Sequence, residues 1–307
     1  MRVISPFRIL KQSVSQLILC IHFFYLLTAA LSLSIVPQWP SLIQRRGADF
    51  LWPLYWAHAF PEEKVITSIL ILYLFGTLSA AWLPQSRLAR MLAFLGLFFY
   101  HAWNNSFGKV GHSTHLYVLI SLLWIFLPSA LWHESQRNKK TTLLALDLFE
   151  TARFLILLTY TLAGVSKCIA GIYQFLNNQP SIFSLDAMSR HIAARLLDSG
   201  NTSFLGPWLI QHPLVGFIML WGAIYLQAFA CLAYFRPVIA APWAIGLALF
   251  HIGSYFTLTI HFPHNIILLT LFFILYKPVG IPPITIKTFL LQLPLWGDLL
   301  RFLKILK

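Results

Sequence analysis

The chain has 307 residues, of which 58% are apolar and only 10% charged, with a mean hydropathy of +0.73. Average globular proteins carry about a quarter charged residues, so the composition excludes a disordered chain, a disulfide scaffold and an ordinary soluble enzyme, and implies an all-α integral membrane protein. The net charge of +13, from 22 Lys and Arg against 9 Asp and Glu, lies mostly in short connectors between apolar runs, which reads as topology control and excludes a nucleic-acid groove.

A membrane-crossing helix needs about 20 predominantly apolar residues. Eight runs are read as such helices: 16–36, 65–83, 88–103, 114–132, 153–175, 213–235, 238–256 and 262–276. Arg2, Arg8 and Lys11 ahead of the first run imitate a signal peptide. That run outlasts an h-region of about 7–15 residues and lacks a convincing cleavage site, so it is read as a retained first helix. After it, residues 47–60 (GADFLWPLYWAHAF) form an aromatic stretch expected at headgroup level, where Trp and Tyr gather. Between the fifth and sixth runs, residues 184–197 (SLDAMSRHIAARLL) place Leu185, Met188, Ile192 and Leu196 at helical spacing. This predicts a short amphipathic helix on the outer face, with Ser184 as its cap. Residues 1–280 are thus read as one multi-helix transmembrane domain. Residues 281–307 form a tail, amphipathic from about 284, with Asp298, Arg301, Lys304 and Lys307 along one face and an expected place on the inner leaflet.

Orientation follows from the basic residues. With the N-terminus inside, fifteen Lys and Arg fall on the inner side, Arg87, Arg90, Arg153 and Arg236 among them. Six fall outside: Arg45, Arg46, Lys64, Lys109, Arg190 and Arg195. An even helix count puts both termini in the cytoplasm.

Against this topology nine of the eleven histidines lie in outer loops or outer halves of spans, leaving His22 and His133 toward the inside. Taken singly, most read as interfacial or solvated. Lys167 is the sharper feature: it lies within the fifth run, roughly 12 Å along the axis from its outer end. An ionisable group at that depth is costly and points to function, with snorkelling to the headgroups as the plainer alternative. All nine carboxylates lie in connectors or at span edges, so none is expected to neutralise Lys167. Burial without a counter-charge favours the neutral amine, which can act as a base or nucleophile. The loop WNNSFGKVGHSTHLY brings Asn104, Asn105, His112 and His115 to the same outer level. His251 in ALFHIGSYF, with His261 and His264 in HFPHN, completes a set able to orient a carbonyl or stabilise an oxyanion beside an amine base.

The three cysteines lie in apolar runs without C-x-x-C spacing, which excludes a thiolate zinc site. Haem axial pairs face each other from mid-span, whereas His22 and His251 lie at opposite depths, so no metal is predicted. Phosphate-loop, nucleophile-elbow, zincin and dinucleotide motifs are absent. Gly164, Gly171, Gly216 and Gly222 read as helix-packing positions.

The string WNN…HS…LY, then Y-x-x-A-G-V-x-K inside a span, then S-R-H, then F-H, resembles the vitamin K-dependent γ-carboxylase and its bacterial relatives, the horizontally transferred transmembrane domain (HTTM) family. The resemblance covers about Trp103 to Leu275. It implies a membrane domain whose active side faces the periplasm or lumen, here a bacterial inner membrane. It implies a reduced vitamin K-like quinone as cofactor, and Lys167 as the base that deprotonates it. His112 or His115 takes the place of the histidine after W-N-N, and His251 the F-H position. Arg190 and His191 match S-R-H, and with Asn104, Asn105, His261 and His264 they are read as substrate-binding. Ser166 stands where the animal enzyme has a second lysine, the W-N-N to histidine spacing is stretched, and the large lumenal β-rich region is missing. Carboxylation of glutamate itself is therefore not the expected outcome, although lyase or oxidoreductase chemistry on a peptide or lipid-soluble substrate is. The competing reading is a non-catalytic accessory protein for maturation or export of a small secreted peptide toxin of the sporulation-delaying type. A transporter lined by Lys167 and the histidines is disfavoured by the lack of spanning carboxylates and paired broken helices.

Overall fold

The computed structural model describes residues 6–108, 114–276 and 285–303. Among these every regular element is helical, with no strand. Four segments are long and apolar enough to cross a membrane: Ser13–Gln44, Glu62–Trp82, Lys139–Leu176 and Pro237–Leu258. Shorter apolar helices cover His115–Trp124, Pro213–Ala228 and Pro263–Leu275. The chain divides into two compact units, Met1–Ala152 and Arg153–Lys307.

The first unit contains α1 (Pro6–Ser34), α2 (Trp39–Gln44), a 3-10 segment Trp52–Ala59, α3 (Glu62–Trp82), α4 (Arg87–Asn104), α5 (His115–Trp124) and the start of α6 (Lys139–Leu176). Glu62 and Glu63 occupy the first turn of α3, where negative charge suits the helix dipole. Ser86 caps α4 by accepting from the Ala89 N–H at 3.3 Å. The two helices cross in near backbone contact because each offers a glycine. A Cβ on Gly76 would sit 2.5 Å from the Leu92 carbonyl oxygen, and one on Gly96 would sit 2.6 Å from Tyr73 Cα. Tyr73 and Tyr100 stack beside this crossing with centroids 4.7 Å apart. Buried hydroxyl pairs tie α1 to its neighbours: Thr28 with Tyr117, and Ser32 with Thr77, both at 2.7 Å.

The stretch 47–60 is fastened through Ser106, whose carbonyl accepts from the Asp49 N–H at 2.8 Å and whose hydroxyl accepts from the Leu51 N–H at 3.2 Å. Phe50, Leu54 and Ala57 face the core while Trp52, Tyr55, Trp56 and Phe60 stay exposed. The expected run 114–132 is helical only to Trp124, and the chain then turns ahead of Pro128, a residue that disfavours helix in its predecessor. In contrast, α6 starts fourteen residues before the expected 153, because Ala145, Phe149 and Ala152 already form a buried stripe.

The second unit holds the rest of α6, α7 (Ala187–Ser199), α8 (Gly206–Gln211), α9 (Pro213–Ala228), α10 (Ala230–Tyr234), α11 (Pro237–Leu258), α12 (Pro263–Leu269) continuing as a π-helical turn Thr270–Leu275, α13 (Ile286–Gln292) and α14 (Trp296–Phe302). The run 213–235 breaks at Phe229, between α9 and α10. There the Cys231 N–H donates to the Thr161 hydroxyl at 2.9 Å, and a Cβ on Gly164 would lie 2.3 Å from Ala228 N. Gly164 therefore lets α6 press against the break, and Thr161 satisfies an N–H that the break releases. The amphipathic helix expected over 184–197 is α7, ended by Gly200 at φ +64°. Its first residue is Ala187, and Ser184 does not cap it: Asp186 holds the N-cap position and pairs its carboxylate with Arg190.

Candidate functional site

The residues singled out from sequence separate into two groups, one in each unit. In the second unit the group is centred on Lys167. Tyr160 and Lys167 are seven residues apart on α6, two turns along one face. The Lys167 Nζ donates to Gln227 Oε1 of α9 at 2.8 Å, with the Ala163 carbonyl at 3.5 Å. Gln227 is only 4% exposed. It is a neutral acceptor that solvates the amine without fixing a charge on it, and no carboxylate is ion-paired to Lys167 among the described residues. Lys167 itself is exposed on the bare protein, beside the exposed apolar side chains of Leu162, Val165 and Ile169.

His251 comes from the C-terminal half of α11 and is 3% exposed. Its Nε2 lies 2.5 Å from the Tyr160 hydroxyl. Asn265 of α12 also reaches that hydroxyl, and Lys167 lies within electrostatic range of the imidazole. Phe262 packs on the His251 ring with centroids 4.6 Å apart. Two buried polar atoms in this group, His251 Nδ1 and Asn265 Oδ1, have no partner among the described residues. Four helices thus contribute to one cluster: α6 gives Tyr160 and Lys167, α9 Gln227, α11 His251 and α12 Asn265. Chemically it combines an amine with a hydrogen-bonded phenol–imidazole pair, a set able to move a proton and hold an oxygen.

The sequence also singles out Arg190, His191, His261 and His264 in this unit. Arg190 is held by Asp186 and by the Ser181 carbonyl at 3.2 Å, and His191 is exposed on α7. His261 packs against Tyr255 with centroids 4.3 Å apart, and His264 is half-buried in the first turn of α12.

In the first unit Asn105 and His115 line a cavity of about 410 Å³, joined by His101 one turn before Asn105. Asn104 points elsewhere, accepting from Arg45 at 3.4 Å. His112 lies outside the described residues. No group of three or more His, Cys, Asp or Glu side chains suited to a metal ion occurs among the described residues.

Sequence reasoning missed Gln227, Tyr160, Asn265 and His101 as site residues. The signal for Gln227 was present, since it is a lone amide in the apolar run IYLQAFACL. Comparison with known proteins adds no relative: no family model matches the chain, and neither a curated protein nor a solved structure does.

Proposed function

We propose that the protein is a membrane enzyme of the vitamin K-dependent γ-carboxylase-like, HTTM type. In this reading it uses a lipid-soluble quinol with Lys167 as general base. The chain crosses a bacterial inner membrane eight times with both termini inside, and the Lys167 cluster lies toward the outer face. The observation that carries the reading is the environment of Lys167: an amine on an apolar helix, bonded to a neutral amide and beside a phenol–imidazole pair. Exposure of Lys167 among apolar side chains supports a partner that arrives through lipid rather than through water. A snorkelling lysine would extend to headgroups; this one turns its Nζ to buried Gln227.

A bound quinol would supply an acidic hydroxyl; Lys167 Nζ would be the residue placed to hold its proton, with Gln227 Oε1 accepting an N–H of the amine. The Tyr160–His251 pair would hold the oxygen of such a molecule, where a preorganised donor counts for more than in water. The acceptor substrate is a peptide or another lipid-soluble molecule.

The test is Lys167→Ala. Removing a positioned base lowers turnover by roughly 10²–10⁴-fold, with folded yield in detergent unchanged. Mass spectrometry of lipid-soluble molecules that co-purify with the native chain is expected to find a quinone. Full activity in the alanine variant, or a protein that never retains a quinone, would end this reading.

A further inference from the structure

The connection between α11 and α12 is short. Thr259 follows α11 in the left-handed region at φ +56°, its N–H bonded to the Tyr255 carbonyl at 3.0 Å, and Pro263 opens α12 soon after. The turn brings α12 against α11, so Phe262 packs on the His251 ring and Asn265 reaches the Tyr160 hydroxyl. Three polar side chains from three helices, Tyr160, His251 and Asn265, therefore meet where water does not reach: Tyr160 is 5% exposed and His251 3%.

Buried polar groups have to satisfy one another, and here the hydrogens can be counted. A phenol has one hydrogen to give and can also accept, whereas a neutral imidazole has one donating and one accepting nitrogen. Of the Asn265 amide, Oδ1 has no partner among the described residues. The group that meets the phenol oxygen is thus the amide NH2, a donor. With its oxygen filled in this way, the phenol gives its own hydrogen to His251 Nε2 at 2.5 Å. The imidazole is then neutral and carries its hydrogen on Nδ1, since the bond made by one ring nitrogen decides the state of the other. In the reverse polarity Nε2–H donates to the phenol. That leaves the phenol hydrogen and an accepting Nδ1 both unsatisfied, in place of Nδ1–H alone, and every buried unsatisfied group is costly. A doubly protonated ring fares worse, because it sets a second cation within electrostatic range of Lys167. No carboxylate is ion-paired to either residue among the described residues.

We infer that Tyr160 is a positioning residue: through Nε2 it holds His251 as the Nδ1–H tautomer, so the hydrogen this pair offers to an oxygen is on His251 Nδ1 and not on the phenol. That role rests on the proposed function, and it narrows the oxygen in question to an acceptor, a carbonyl or an oxyanion. The tautomer itself does not depend on any chemistry at Lys167.

The experiment is nitrogen-15 NMR of the full chain in detergent at neutral pH, labelled at histidine, with long-range couplings from the ring protons distinguishing the tautomers. His251 is assigned by the signals that vanish in His251→Gln. The native chain is expected to show His251 in one neutral form, protonated at Nδ1. Tyr160→Phe keeps the aromatic ring and removes the hydroxyl, and is expected to lose that form in favour of Nε2–H, the ordinary preference of a free side chain. Asn265→Leu is expected to keep Nδ1–H, because the phenol still has Nε2 to donate to. Nε2–H or a doubly protonated ring in the native chain overturns the inference, whether or not the variants fold. So does a folded Tyr160→Phe variant whose tautomer is unchanged, or a switch in Asn265→Leu, which would move the role to the amide. Lys167→Ala reads the proposed function by turnover and this spectrum reads the tautomer, so either can fail alone.

Discussion

Arg90 shows how one residue type serves two ends. By sequence it counts among the basic residues read as topology signals, yet its side chain is fully buried on α4. Its Nη1 and Nη2 donate to the Pro84 and Leu127 carbonyls, both at 2.5 Å, and the guanidinium lies 5.3 Å from the Trp132 ring. The planar fork lets one cation close two turns whose carbonyls have left helical bonding. Each hydrogen bond to a charged group contributes about 1.5–3 kcal/mol. Arg90→Ala should therefore destabilise the first unit by about 3 kcal/mol or more, seen as a lowered thermal unfolding midpoint in detergent. Arg90→Lys, reaching only one carbonyl, should fall between. The same scale explains what could be read of the candidate site. Lys167 and His251 stood out because charge and imidazole are rare in apolar runs. Gln227 and Tyr160 carry no charge, so nothing in a search for counter-charges drew attention to them, although their contacts define the cluster. His101 was legible only as one outer histidine among nine, since its role depends on a cavity that three separated segments create.

At the level of elements, glycine decides which helices meet closely. Gly76 and Gly164 each face another segment's backbone at less than van der Waals distance for a Cβ. An alanine there has no flexible neighbour to displace, so the helices themselves must part. Overpacking of this kind costs about 1–3 kcal/mol, and Gly76→Ala should lower the unfolding midpoint accordingly. Gly222 is the control: nothing lies within 4 Å of its Cβ position, so Gly222→Ala should be neutral or stabilise by about 0.5–1 kcal/mol through helix propensity. Sequence analysis had placed Gly164 and Gly222 together as packing positions, and only the structure separates them. Apolar content located the helices well, because burial or lipid contact demands it wherever a helix runs. It did not locate their ends. Residues 139–152 looked like a connector because Lys139, Lys140, Asp147 and Glu150 are charged, yet one stripe of that segment is buried and α6 runs through it. The break at Phe229 was invisible for the opposite reason: the composition continues unbroken, and the interruption depends on a hydroxyl sixty-eight residues earlier, Thr161.

Across the whole molecule carboxylates are scarce, nine against 22 Lys and Arg, so where one sits between two cations its loss should be felt. Asp298, in the first turn of α14, pairs with Arg301 and lies 3.6 Å from the Arg236 guanidinium. Arg236 also donates to the Gln292 carbonyl at 2.7 Å, and the Tyr225 hydroxyl donates to that of Pro294 at 2.6 Å. These bonds fasten α13 and α14 to the rest of the second unit while Trp296, Phe302 and Leu303 remain exposed. The Arg301 hydrogen bond, helped by Arg236, holds the Asp298 carboxyl below the usual carboxylate range. A depressed folded-state value means that the carboxylate's contribution is complete above the ordinary Asp pKa of about 3.9 and is lost as pH falls through the lower folded value. The tail should accordingly stay docked from neutral pH down to about 4 and loosen only in stronger acid. Hydrogen exchange of the α14 amides, measured across that range, should show a flat profile followed by a rise. Asp298→Asn should show the acid-state exchange already at neutral pH, with α11 unaffected. A tail equally protected in the asparagine variant would mean that Tyr225 and the Arg236–Gln292 bond hold it without the carboxylate.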